Sequence, residues 1–216
     1  MSIDSKNRRQ FSLGLAAGSL ISALPTVVVG QQKFDEGIDY KLVQPAVPTS
    51  SPGKIEVLEF FWYACPHCYR LDPFVAEWKK KLSAKVAFKK VHVAFRGDAQ
   101  QKLFYTLEAM GREADLGIKV FEEIHVKKNS MASLIEASAW AKAQGLDVAK
   151  FEATWNSFAV QTQQKRANAL VNSYKLDGVP VFGINGRYLT SPAMVGGSHA
   201  RALEVVNYLI SRSTAA

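Results

Sequence analysis

Cys65 and Cys68 are the only thiols among 216 residues, and they stand three positions apart in "VLEFFWYACPHCYRLDPF". An apolar, strand-forming run leads into them, Pro66 and His67 lie between them, and a helical pattern follows. At i and i+3 of a first helical turn, two side chains share one side of the helix, near enough for a disulfide to open and close with little rearrangement. A sulfur at the helix start also meets unpaired backbone N–H groups and the positive end of the helix dipole, which favour thiolate over thiol. The chemistry this spacing suits is thiol–disulfide exchange. Cys65 is expected to provide the thiolate, and Cys68, one turn deeper and buried, the internal nucleophile that resolves a mixed disulfide. Pro66 suits the first turn because the N–H it lacks would have no partner there, and His67 can add positive charge beside the sulfur. Whatever stabilises the thiolate raises the disulfide in relative free energy, by about 1.4 kcal/mol for each roughly 30 mV of potential, so the pair reads as an oxidant.

Other uses of the motif fit less well. Tetrahedral zinc takes about four ligands, and His92, His125 and His199 are scattered along the chain. A static disulfide would close a tiny loop in a chain long enough to bury roughly 70% of its unfolded surface without staples. A non-catalytic metal or thiol-peptide binder and a disulfide isomerase or reductase stay as alternatives. The isomerase reading would call for an N-terminal dimerisation module, which is not expected here.

The elements that must position the sulfurs follow from periodicity. Residues 55–62 form a near-continuous apolar run, the pattern of a strand buried on both faces. A helix is expected from Pro66 to about Leu82 and a second strand over Val86–Phe95, making a βαβ unit with parallel, adjacent strands. A short strand is expected near Tyr40–Val43. From Gly97 to about Lys175 only helical periods occur, enough for four or five helices, with a capping box at Ser133 and Glu136 and a C-cap glycine at Gly145. Asn185–Gly186 within "VPVFGINGRYL" predicts a two-residue hairpin turn, and an amphipathic helix is expected over about Ala200–Ser211. Trp140 and Trp155 are expected in the helical core, and His92 and His125 in structural or surface positions.

The opening residues 1–30 read as a cleavable export signal: basic at Lys6, Arg8 and Arg9, then apolar but diluted by Gly, Ser and Pro. Arg8–Arg9 followed by "QF" resembles the twin-arginine motif, and a plain secretory route needs only the charge, so both routes stay open. The span is short for a membrane anchor. Of the formal net charge of +8, these residues contribute +2, leaving +6 for the remainder. The lysine clusters are not interleaved with exposed aromatic residues, so no nucleic-acid partner is expected. Glu59 lies inside the buried strand, where a carboxylate must raise its pKa or find a cation; Lys90 on the neighbouring strand is the expected partner.

"EFFWYACPHCY", "FEATWNSFAVQ" and "LDGVPVFGINGRY", spread over the chain after the export segment, resemble the DsbA family of periplasmic thiol:disulfide oxidoreductases. The Cys-Pro-His-Cys motif is specific to that family within the thioredoxin-like class. The resemblance implies an α/β, thioredoxin-like fold with an inserted all-helical domain, divided as residues 31–96, 97–175 and 176–216. It implies a periplasmic monomer that oxidises newly exported, unfolded proteins with free thiols and is reoxidised by a DsbB-type membrane partner. No cofactor is expected beyond the redox-active Cys65–Cys68 disulfide. A low-pKa, strongly oxidising cysteine is a known property of that family. By the same resemblance Cys65 is the exposed nucleophile, Cys68 its buried partner, and Pro66 and His67 the tuning dipeptide. Pro180 is a cis-proline facing the active site, with Val179 offering backbone groups to substrate. Glu59 and Lys90 lie beneath the motif and exchange a proton with the buried cysteine. On residue pattern alone Pro180 reads as a trans proline opening an edge strand. The segment Ser191–Gly197 varies too widely in the family to carry a substrate preference.

Overall fold

The apolar run forms the central strand. The computed structural model describes residues 34–213; the export segment expected over 1–30 lies outside them. In it β2 (Ile55–Phe61) is buried at every position, as a strand covered on both faces must be. β3 (Val86–His92) runs parallel beside it, with Glu59 opposite Lys90 and Phe61 opposite His92. α1 (Pro66–Lys79) provides the crossover that parallel neighbours require. On the other side of β2, β4 (Val181–Ile184) runs antiparallel, followed by β5 (Tyr188–Thr190) and the two-residue β1 (Lys41–Leu42). The sheet order is therefore β1-β5-β4-β2-β3.

Between β3 and β4 the chain forms α2 (Ala99–Ala109), α3 (Glu113–His125), α4 (Leu134–Ala143), α5 (Val148–Trp155) and α6 (Phe158–Ser173). A 3-10 turn at Pro192–Val195 leads into α7 (His199–Arg212). Strand alternation sends Ile55, Val57, Glu59 and Phe61 to one face of the sheet and Leu58 and Phe60 to the other. Ile55 and Val57 share a core with Leu71, Val75 and Trp78 of α1 and with Val205, Val206 and Leu209 of α7. Leu58, Phe60 and Phe61 share theirs with the helices between β3 and β4, including Trp140 and Trp155. Each fully buried Phe in this layer contributes about 1.5–3 kcal/mol. Glu59 falls where α1 and α3 meet over the sheet, so the strand's one central charge lies at a junction rather than in uniform hydrocarbon.

Local signals explain most boundaries. Ser133 Oγ accepts from Glu136 N–H at 3.2 Å, and Gly145 follows α4 with φ 76°. The Glu136 carboxylate takes Ala132 N–H and the Ser130 hydroxyl, at 2.7 and 3.0 Å, instead of closing the box on Ser133. The hairpin turn has positive φ at both Asn185 and Gly186, 49° and 67°, but pairing resumes only at Tyr188, so the connection spans three residues. Gly186 is obligatory there because a Cβ would stand 1.8 Å from the Val47 carbonyl oxygen.

Two expected elements are shorter. α1 stops at Lys79 because its last turn tightens into Lys81 N–H to Trp78 O and Leu82 N–H to Lys79 O bonds, at 3.0 and 3.3 Å. β3 ends at His92, although Val93 N–H still reaches Phe61 O at 2.8 Å; beyond Phe61 the central strand turns away and leaves nothing to pair with. Pro73 sits inside α1, and the helix continues through it. Cis peptide bonds precede Pro180, as the family resemblance implied, and also Pro45, which no sequence signal announced.

Candidate active site

Cys65 is the N-cap of α1, extended at φ −84° and ψ 115°, with Pro66 in the first turn. Its sulfur accepts from Cys68 N–H at 3.4 Å, and no acidic residue lies in the first turn to oppose a negative charge. Both cysteines are free thiols here. The Cys65 thiol is brought down from 9.0 to about 6, chiefly by a hydrogen bond from the Cys68 thiol and then by the backbone N–H groups of Cys68 and His67, with burial opposing. Burial pushes Cys68 far above the usual thiol range, reinforced by its hydrogen bond to Cys65 and by the charge there. One sulfur is thus made for the anion and the other for the proton.

One expectation about this pair needs correction, and the His67 charge acts only weakly. Cys65 is only 7% exposed against 1% for Cys68, because the Val179–Pro180 loop covers it; the Val179 carbonyl oxygen is 3.5 Å from Cys65 Sγ. His67 is exposed, and its Nδ1 is 2.9 Å from Arg70 Nη2. Arginine only donates, so Nδ1 accepts, and the imidazole is the smallest of the influences that lower Cys65. Val179 and Pro180 therefore sit against the reactive sulfur, while His67 faces solvent beside it.

The loop entering Cys65 is pinned at successive backbone groups. Tyr63 N–H donates to His92 Nε2 at 3.1 Å, and Tyr63 O accepts from His125 Nε2 at 2.8 Å. Ala64 N–H donates to Gln100 Oε1 at 3.2 Å, and Cys65 N–H to Trp62 O at 3.0 Å. Burial drops His92 to about 3, so it stays neutral and able to accept. The two histidines are structural, as expected, but the backbone they hold is that of the active-site loop. Gln100 gave no signal in the sequence.

Beneath the motif Glu59 is 1% exposed and its Oε2 has no partner. Burial raises its carboxyl from 4.5 to about 7; the Lys90 charge opposes this, and Asp72 and Glu113 add to it. Lys90 was expected to pair with Glu59. Its Nζ instead lies 2.7 Å from Asp72 Oδ1 and 3.4 Å from Glu113 Oε1, because α1 and α3 bring carboxylates closer than the neighbouring strand does. Burial pulls Lys90 down, but Glu59, Glu113 and Asp72 together hold it above its ordinary value. Glu59 in turn helps to keep Cys68 protonated. Among the described residues, no cluster of three or more His, Cys, Asp or Glu side chains could hold a metal ion, and no helix is long and apolar enough to cross a membrane.

Comparison with known proteins agrees with this geometry. Residues 56–205 match the family described as DSBA-like thioredoxin domain. The thiol:disulfide interchange protein DsbA of Bordetella parapertussis is 41% identical over 205 residues, covering 94% of this chain and 97% of that protein. The protein of the same name from Pseudomonas aeruginosa strain PAO1 is 36% identical over 207 residues, covering 95% and 98%. The crystal structure of Pseudomonas aeruginosa DsbA superposes with a TM-score of 0.80 at 38% identity, covering 83% of this chain and 94% of that one. A paired-cysteine helix mouth on a mixed sheet, together with relatives matched along nearly their whole length, leads to one assignment: the chain belongs to the DSBA-like thioredoxin family and is a protein thiol:disulfide oxidoreductase.

Proposed function

We propose that this oxidoreductase works as a disulfide donor in the periplasm, passing its Cys65–Cys68 bond to newly exported proteins with free thiols. A substrate thiolate attacks Cys65 Sγ; the S–S bond breaks, and Cys68 leaves with the electron pair and takes up a proton from Glu59. The mixed disulfide lies beside Val179 and Pro180, where the substrate strand meets their backbone. A second substrate thiolate then attacks its own half of that bond, and Cys65 departs as the thiolate. The substrate has lost two electrons and two protons; the enzyme has gained both electrons and, at Cys68, one proton, and the other proton goes to water. A DsbB-type membrane oxidase reverses the enzyme's half, with the enzyme acting as a monomer and the disulfide as its sole redox group.

The observation that carries this reading is the asymmetry of the pair: Cys65 Sγ caps the start of α1 and accepts Cys68 N–H, which favours its anion, while Cys68 lies deeper and burial keeps its proton on. Stabilising the reduced form in this way makes the disulfide form oxidising. Equilibration with glutathione redox mixtures tests it. The disulfide should be reduced at glutathione ratios that leave ordinary structural disulfides intact, and a pair that stays oxidised under those ratios would remove the donor reading in favour of a reductase.

A further inference from the structure

Glu59 and Lys90 stand opposite each other in the β2–β3 register, yet the ammonium does not rest on Glu59. Lys90 Nζ lies 5.2 Å over the Phe61 ring and is shared between Asp72 and Glu113, while Glu59 Oε2 is buried without a partner. One lysine serves two helix carboxylates and leaves the strand carboxylate bare. Asp72 belongs to α1, the helix that carries both sulfurs. Glu113 enters from the first turn of α3, and a second feature of that helix fits it.

Gly117 lies one turn further along α3, inside the helix and outside the left-handed region, where a glycine costs about 1 kcal/mol relative to alanine. A Cβ at this position would stand 2.8 Å from Glu113 Oε1. An alanine would therefore drive the carboxylate from its seat. The helix gives up propensity at the residue whose side chain would fill the space that Glu113 uses.

We infer that Glu113 is a positioning residue: seated against Gly117, it holds the Lys90 ammonium on the helix side and keeps it from closing an ion pair with Glu59, so that Glu59 can carry a proton. This rests on the reading above in which Glu59 supplies the proton that Cys68 takes up. The charged and titratable groups acting on Glu59 are Lys90 from β3, Asp72 and Lys79 from α1, and Glu113 from α3; Cys68 of α1 feels its charge in return. β4 brings only Phe182 opposite. Glu113 is thus the carboxylate that can be altered without touching either the sulfur-bearing helix or the sheet. Asp72, Lys90 and Glu113 also line a cleft of about 650 Å³, so the cation and its two helix carboxylates border an open space while Glu59 stays buried behind them.

The test is the titration of the Glu59 carboxyl carbon by ¹³C NMR on the disulfide form, in which neither sulfur titrates, with the resonance assigned by Glu59→Gln. The unmodified chain should titrate near about 7. Glu113→Gln should lower that midpoint by about one pH unit. Gly117→Ala keeps the charge but unseats it, and should move the midpoint the same way by less, with no loss of helix stability. A midpoint that is unmoved or raised in Glu113→Gln overturns the inference; if that variant does not fold, an unmoved midpoint in Gly117→Ala overturns it. Oxidation of a dithiol peptide by the unmodified protein is followed in parallel. Failure there sinks the donor reading, whereas the Glu59 midpoints decide the role of Glu113 separately.

Discussion

Raising the pH from 5 to 9 should stabilise the reduced protein through Cys65 alone, by an amount the site geometry sets. Its thiol titrates near about 6 when folded, against an ordinary value of 9.0. A group whose folded pKa is depressed contributes stability that is full above the unfolded value and is lost as pH falls through the folded one, so the window here runs from 9.0 down to about 6. The linkage relation gives a gain of about 1 kcal/mol between pH 5 and pH 7 and about 4 kcal/mol by pH 9. Glu59 acts in the opposite sense. Burial raises it from 4.5 to about 7, so its contribution is present below 4.5 and is lost as pH climbs through about 7. Urea unfolding of the reduced protein must therefore be read against reduced Cys65→Ala, which retains Glu59 and Cys68, so that their contributions largely cancel in the difference. The difference between the two proteins should grow with pH, and direct thiolate absorbance should rise around pH 6. A difference that stays flat from pH 5 to pH 9 would refute the claim that the helix mouth stabilises the anion.

Three further outcomes follow from described contacts. Glu59→Gln should remove the loss of stability between pH 4.5 and about 7 and slow release of a mixed disulfide by Cys68; urea midpoints across that range and stopped-flow resolution kinetics check the two parts. Lys90→Met leaves Asp72 and Glu113 facing each other without their shared cation, and should cost about 3 kcal/mol at pH 8, read by chemical denaturation. Gly186→Ala places a Cβ against the Val47 carbonyl at a positive φ and should cost about 1–3 kcal/mol, visible as a lower thermal midpoint with the Cys65 titration unchanged.

Much of the frame was legible because single segments carried the information. The run from Ile55 to Phe61 could hardly be anything but a central strand, Asn185–Gly186 marked a turn by its backbone demands, and the cysteine spacing named its own chemistry. The site's supporting residues were not legible in the same way. Asp72 and Glu113 look like ordinary helix charges in "RLDPF" and "GREAD", and only the packing of α1 against α3 brings them to Lys90. The expected Glu59–Lys90 pair was sound in register and wrong in partner, since adjacency on two strands says nothing about what the covering helices present. His92, Gln100 and His125 come from three separate elements, so no local pattern could link them to the residues just ahead of Cys65. That Val179 and Pro180 lie at the active site came from the family resemblance alone, since 114 positions separate Val179 from Cys65 in sequence and no local pattern joins them.

The Tyr63 amide unit is gripped from the sheet through His92 and from the helical layer through His125. The attacking sulfur, two residues on, is thereby indexed to both substructures at once, like a part held between two jaws. Loss of either imidazole would therefore free one side of the residue that fixes where Cys65 stands, although neither ring touches a sulfur.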